Sequence, residues 1–123
     1  MIILGQKEEG DLLKIIVEKK GSVVAYFGYV RDFAHGHEVK GMIVKETEKT
    51  KSVMERIEKE LREKFSVEEV ILYHTIGELK VGDLLAAVII SSVHRKEGFE
   101  ACRYGIDRIK EEEPAERGEI LGD

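Results

Sequence analysis

Apolar residues recur along this chain in two rhythms. The stretch "SVVAYFGYVR" (22–31) is rich in β-branched and aromatic residues, and "LLAAVIISSV" (84–93) is apolar almost throughout; both predict strands, the second central in its sheet. "VKGMIVKET" (39–47) alternates, and "VEEVILYHTIGEL" (67–79) predicts a further strand joined to 84–93 by the turn "KVGD". Met1 to Leu4 reads as a short strand, and the polar "DFAHGHE" (32–38) as a loop.

The other rhythm is helical. Val53, Ile57, Leu61 and Phe65 recur every four residues behind Thr50 or Ser52 as cap, with Ser52 and Glu55 spaced as a capping box. Asp11 can cap a helix through Leu12, Leu13, Ile15 and Ile16 that stops at Gly21. Phe99, Cys102, Ile106 and Ile109 place a last helix with one apolar face, ended by Pro114. The order is β-α-β-β-α-β-β-α: an α+β fold with helices layered on a mostly antiparallel sheet.

Composition narrows this picture. With 123 residues, 42 % of them hydrophobic, the expectation is one domain spanning 1–123 around one core. With 37 % charged residues of both signs, one proline and no Ser/Gly-rich tract, the chain reads as neither a disordered tail nor a linker, and such charge density also marks thermophile surfaces. A net charge of −5 argues against non-specific binding to nucleic acid or to an anionic membrane, so an anion site must be local. No apolar run is long enough to span a bilayer and no signal-peptide pattern opens the chain, so the expected location is the cytoplasm. Cys102 is the single cysteine and reads as a core thiol.

Candidate chemistry gathers in the last third. At about 100° per residue, Lys110 lies roughly 20° and Arg103 roughly 40° from Phe99, on the rim of the apolar stripe. A lysine shielded from water beside other cations has a lowered pKa and suits proton transfer or nucleophilic attack; the plainer reading is a packed stem with a solvated ammonium. His94 and Arg95 stand between a central strand and a helix start, where an anion is favoured, and Arg31 ends an earlier strand and could be brought alongside. His35 and His37 invite a metal, but two histidines in a polar loop without an acidic or thiol partner do not make a site; no metal or cofactor is expected. Phosphate-binding glycine loops and a serine nucleophile elbow are absent, and Glu111 to Glu113 read as a solvated helix end.

In order and spacing, "YFGYVRD", "HTIGELKVGD", "SSVHRKEGFEAC" and "IDRIKEEEPAERGE" resemble the large catalytic subunit of molybdopterin synthase, from about Val23 to Glu119. The resemblance implies an α/β-hammerhead fold and a homodimer within a heterotetramer. Each large subunit would dock a small ubiquitin-like carrier whose C-terminal Gly-Gly thiocarboxylate gives sulfur to cyclic pyranopterin monophosphate. Two such transfers create the dithiolene that later holds molybdenum or tungsten. Substrate-binding positions then fall on Tyr29, Val30, Arg31, His94, Arg95, Lys110, Arg117, Gly118 and Glu119, with Lys110 and Arg117 as the catalytic pair.

Three departures stand out. Arg117 replaces the family's second pocket lysine and cannot readily act as a base, Glu116 replaces an aromatic, and the tail beyond Glu119 is short. The loop 32–38 and the tail after Pro114 are expected to order on binding. The alternative reading is a non-catalytic module that binds a phosphorylated small molecule through Arg31 and Arg95. A nucleic-acid-binding domain has no support, since the chain is acidic and lacks an exposed aromatic-plus-basic strand.

Overall fold

The computed structural model describes residues 1–16, 19–34 and 36–122. Its main sheet joins β1 (Ile2–Gly5), β5 (Glu69–Thr75), β7 (Leu84–Ser92) and β2 (Ser22–Tyr29) in the order β1-β5-β7-β2. Among the described residues only the β1/β5 pair is parallel. A smaller antiparallel sheet is centred on β4 (His37–Lys45), flanked by β6 (Gly77–Lys80) and β8 (Glu116–Leu121), with the two-residue β3 (Phe33–Ala34) on its first residues.

Both faces of the main sheet are covered. Alternate residues of β5 point opposite ways: Val70 and Leu72 meet α2 (Thr50–Lys64) and α3 (Arg95–Glu112), while Ile71 and Tyr73 meet α1 (Glu9–Leu13). That is why β5 and β7 show no clean alternation. A third cluster, Val30, Val44, Leu79 and Ala115, fills the junction between the sheets.

The α+β class and the mostly antiparallel pairing are as expected, and several boundaries are not. "VEEVILYHTIGEL" is two strands in two sheets, because Gly77 turns the chain at φ +122°, a conformation costly for other residues. The tail after Pro114 is not a bare loop but β8, whose polar sequence left no apolar alternation to read. Part of the loop 32–38 is likewise built in, as β3 and the first residues of β4. β2 ends at Tyr29, before Val30 and Arg31.

The helices shift too. α1 is shorter than expected, since the branched Ile15 and Ile16 follow it outside the helix. Asp11 acts from within its first turn, accepting the Glu8 N–H at 3.0 Å. In α2 the cap is Lys49; Ser52 donates back to the Lys49 carbonyl at 3.1 Å, so the Ser52–Glu55 box does not form. α3 buries Gly98, Ala101, Cys102, Gly105 and Ile109, while Phe99 is 62 % exposed. The small residues, and not Phe99, define its inner face.

Candidate active site

A cavity of about 870 Å³ opens where the small sheet meets the ends of α2 and α3. Tyr29 and Val30 reach it from the end of β2, with Arg31 following. Lys110 comes from the last turn of α3, and Arg117 and Glu119 from β8. Gly118, between them, does not line it.

Lys110 is exposed in the single chain. Phe99 is not the centre of the buried stripe; measured from Gly98 and Gly105, Lys110 stands well off it, about 120° from Gly98. Shielding therefore has to come from whatever covers the cavity. Among the described residues Arg31, Lys49, Lys110 and Arg117 form no ion pair, so four cations stand around one space without a salt bridge to hold them. Partial burial, together with a hydrogen bond to the Glu9 carboxylate, raises the Tyr29 phenol above its usual range and ties the cavity's rim to α1.

His94 and Arg95 are elsewhere. His94 caps α3 and both side chains are exposed at its start, about 22 Å of helix away from Lys110. Arg31 is no nearer to them: β2 runs antiparallel to β7, with Ser22 beside Ser92 and Tyr29 beside Leu84, so about 23 Å of strand intervenes. Within one chain the expected Arg31–Arg95 pair does not exist. His35 lies outside the described residues, and His37 opens β4 with an exposed side chain.

The model of the MoaE protein family matches residues 6–112. The molybdopterin synthase catalytic subunit of Pyrococcus abyssi is 36 % identical over 101 residues, 81 % of this chain and 68 % of that protein. The chain belongs to the MoaE protein family. Among solved structures, molybdopterin synthase from Staphylococcus aureus superposes with a TM-score of 0.86 at 27 % identity, covering 99 % of this chain and 90 % of that one. The complex of subunits 1 and 2 of molybdopterin-converting factor from Helicobacter pylori shares the fold, with a TM-score of 0.78 at 19 % identity over 98 % of this chain and 83 % of that one.

Against this MoaE background, the structure adds Thr47 and Lys49, which no motif pointed to, and places Glu113 and Glu116 in the cavity lining as well. Glu113 adopts φ +44°, the left-handed C-cap that lets the chain leave α3 before Pro114. His74, fully buried on β5, hydrogen-bonds the Thr75 carbonyl through Nδ1 at 2.9 Å and leaves Nε2 without a partner. Burial, and then the nearby Arg117 charge, hold its pKa below the usual histidine value, so it is a neutral neighbour of the site. Among the described residues no helix is long and apolar enough to cross a membrane.

Proposed function

We propose that this chain is the catalytic subunit of a cytoplasmic molybdopterin synthase, moving sulfur from the C-terminal thiocarboxylate of a small ubiquitin-like carrier to cyclic pyranopterin monophosphate. The observation that carries this reading is the gathering of Arg31, Lys110 and Arg117 around one cavity in a MoaE chain. Both reactants are anions, and in a chain of net charge −5 these cations give a local field that attracts them. Arg31 and Arg117 present planar guanidinium forks for phosphate or carboxylate oxygens. Lys110, a flexible ammonium, can steady the charge that develops as sulfur attacks, and can give or take a proton. Arg117 keeps its charge throughout and serves binding.

The carrier's tail would supply the cover that Lys110 lacks in the isolated chain, raising the strength of every charge contact beneath it. A homodimer accounts for His94 and Arg95. Neither side chain lines the cavity described above, and Val93 and Phe99 beside them are 51 % and 62 % exposed, an apolar surface suited to a second copy. From there they would complete the neighbouring chain's cavity, giving a heterotetramer with two carriers.

The deciding experiment mixes the protein with thiocarboxylated carrier and cyclic pyranopterin monophosphate and counts sulfur atoms gained by the pterin by mass spectrometry. Two sulfurs are expected. Lys110→Ala should lower that rate by at least about a hundredfold without changing the circular dichroism spectrum. Substrate bound by the wild type but never sulfurated, with a carrier active elsewhere, would instead mark a module that only binds the phosphorylated compound.

A further inference from the structure

Lys49 occupies a position that local physics disfavours. It is the N-cap of α2, where Ser, Thr, Asp or Asn would accept a hydrogen bond from the free N–H groups of the first turn, and a lysine offers no acceptor. Its cation also sits at the positive end of the helix dipole, and the first turn of α2 holds no acid to offset it. A residue that breaks local rules without a structural gain is commonly chosen by a site rather than by the fold. Lys49 lines the cavity that holds Arg31, Lys110 and Arg117, and none of these four forms an ion pair among the described residues.

Its backbone is fixed from beneath. Thr50, fully buried, accepts the Thr47 N–H at 2.9 Å and donates to the Pro114 carbonyl at 2.6 Å. This hydroxyl rivets the turn before α2 to the segment leaving α3, whose Glu113 and Ala115 also line the cavity. Lys49 is thereby offered from a set base on the wall formed where the two helices meet. The carboxylates Glu113, Glu116 and Glu119 line the cavity as well, so its attraction for an anion depends on each cation that faces it.

We propose that Lys49 is a further substrate-binding residue, gripping the phosphate of the phosphorylated substrate; this rests on the function proposed above. A planar carboxylate is best met by a guanidinium fork, which Arg31 and Arg117 supply. The oxygens of a phosphate, which such forks also meet, accept in addition from a point charge on a long stem, which is what Lys49 brings.

The test is calorimetric titration of cyclic pyranopterin monophosphate, without carrier, into wild type, Lys49→Ala and Lys49→Arg, followed by steady-state sulfur transfer. Lys49→Ala should weaken pterin binding about tenfold, raise its KM in proportion, and leave kcat and carrier affinity within about twofold. Lys49→Arg should recover most of the loss, and the thermal midpoint of Lys49→Ala should not fall, since alanine removes an unfavourable cap charge. Equal pterin affinity in wild type and Lys49→Ala overturns the proposal, as does a loss confined to carrier affinity or a wild type that binds no pterin. A wild type that binds pterin but transfers no sulfur from an active carrier refutes the function instead, and the affinity comparison still decides the role of Lys49.

Discussion

His74 and Cys102 are buried titratable groups with opposite consequences for measurement. With Nδ1 donating to Thr75 and Nε2 bare, His74 has no use for a second proton, and its folded pKa lies below the ordinary 6.5. The unfolded chain then binds the proton first, so the contribution of His74 to stability is full above about pH 6.5 and is lost as the pH falls through that value toward the folded pKa. Urea midpoints from pH 8 to pH 5 should decline in wild type and decline less in His74→Leu; parallel curves would remove His74 as the cause. Burial pushes the Cys102 thiol up to about 11, so the native protein should resist iodoacetamide at pH 8, with labelling tracking unfolding. Among the cavity residues, Arg31 was legible as a cation ending a strand, whereas Lys110 was reached from a stripe wrongly centred on Phe99 and Arg117 only through the family resemblance. Lys49 was not legible: it reaches the cavity through the Thr50–Pro114 hydrogen bond, which joins positions 64 apart that no local window contains.

At the level of elements, α3 shows what hydrophobic periodicity misses. Counting large apolar residues centred the helix on Phe99, whereas Gly98, Ala101 and Gly105 let its backbone lie close against β2 and β7. A Cβ at Gly105 would stand 3.2 Å from Val88 Cγ1 and 3.4 Å from Leu61 Cδ1. Gly105→Leu should therefore cost about 1–3 kcal/mol by overpacking, read as a lowered denaturation midpoint. A polar clamp joins the two long helices: Arg108 on α3 grips both carboxylate oxygens of Glu60 on α2, at 2.8 and 3.2 Å, and Tyr104 adds a third bond at 2.9 Å. Glu111 and Glu112 hold the same guanidinium at 3.1 and 3.0 Å. Because Arg108 is only 18 % exposed, Arg108→Ala should cost about 1–2 kcal/mol, more than an ordinary surface pair. A change below about 0.3 kcal/mol would show the clamp to be solvent-screened.

For the whole molecule, the meeting of two sheets matters more than either alone, because the cavity that holds Lys110 lies at their junction. Sequence pattern conveyed the α+β class and most of the strands, but not the division into two sheets. The switch is made at Gly77, inside a run that reads as continuous strand. If the chain acts as a homodimer, sedimentation should give about twice the mass of 14.0 kDa, and Phe99→Asp should yield monomers. Those monomers should still bind pterin weakly through Arg31, Lys110 and Arg117 while losing turnover, since His94 and Arg95 would be missing from the neighbouring cavity.

β8 carries Arg117, and among the described residues it pairs with β4 alone, with most of its side chains exposed. A strand held on one side opens far more often than β5 or β7, which are locked between neighbours and covered by helices. Native-state amide exchange should therefore find residues 116–121 opening well below the global limit, and bound pterin should slow exchange there first. Each such opening removes a wall of the cavity and leaves the core intact, so catalytic competence has a lifetime of its own, shorter than that of the fold that carries it.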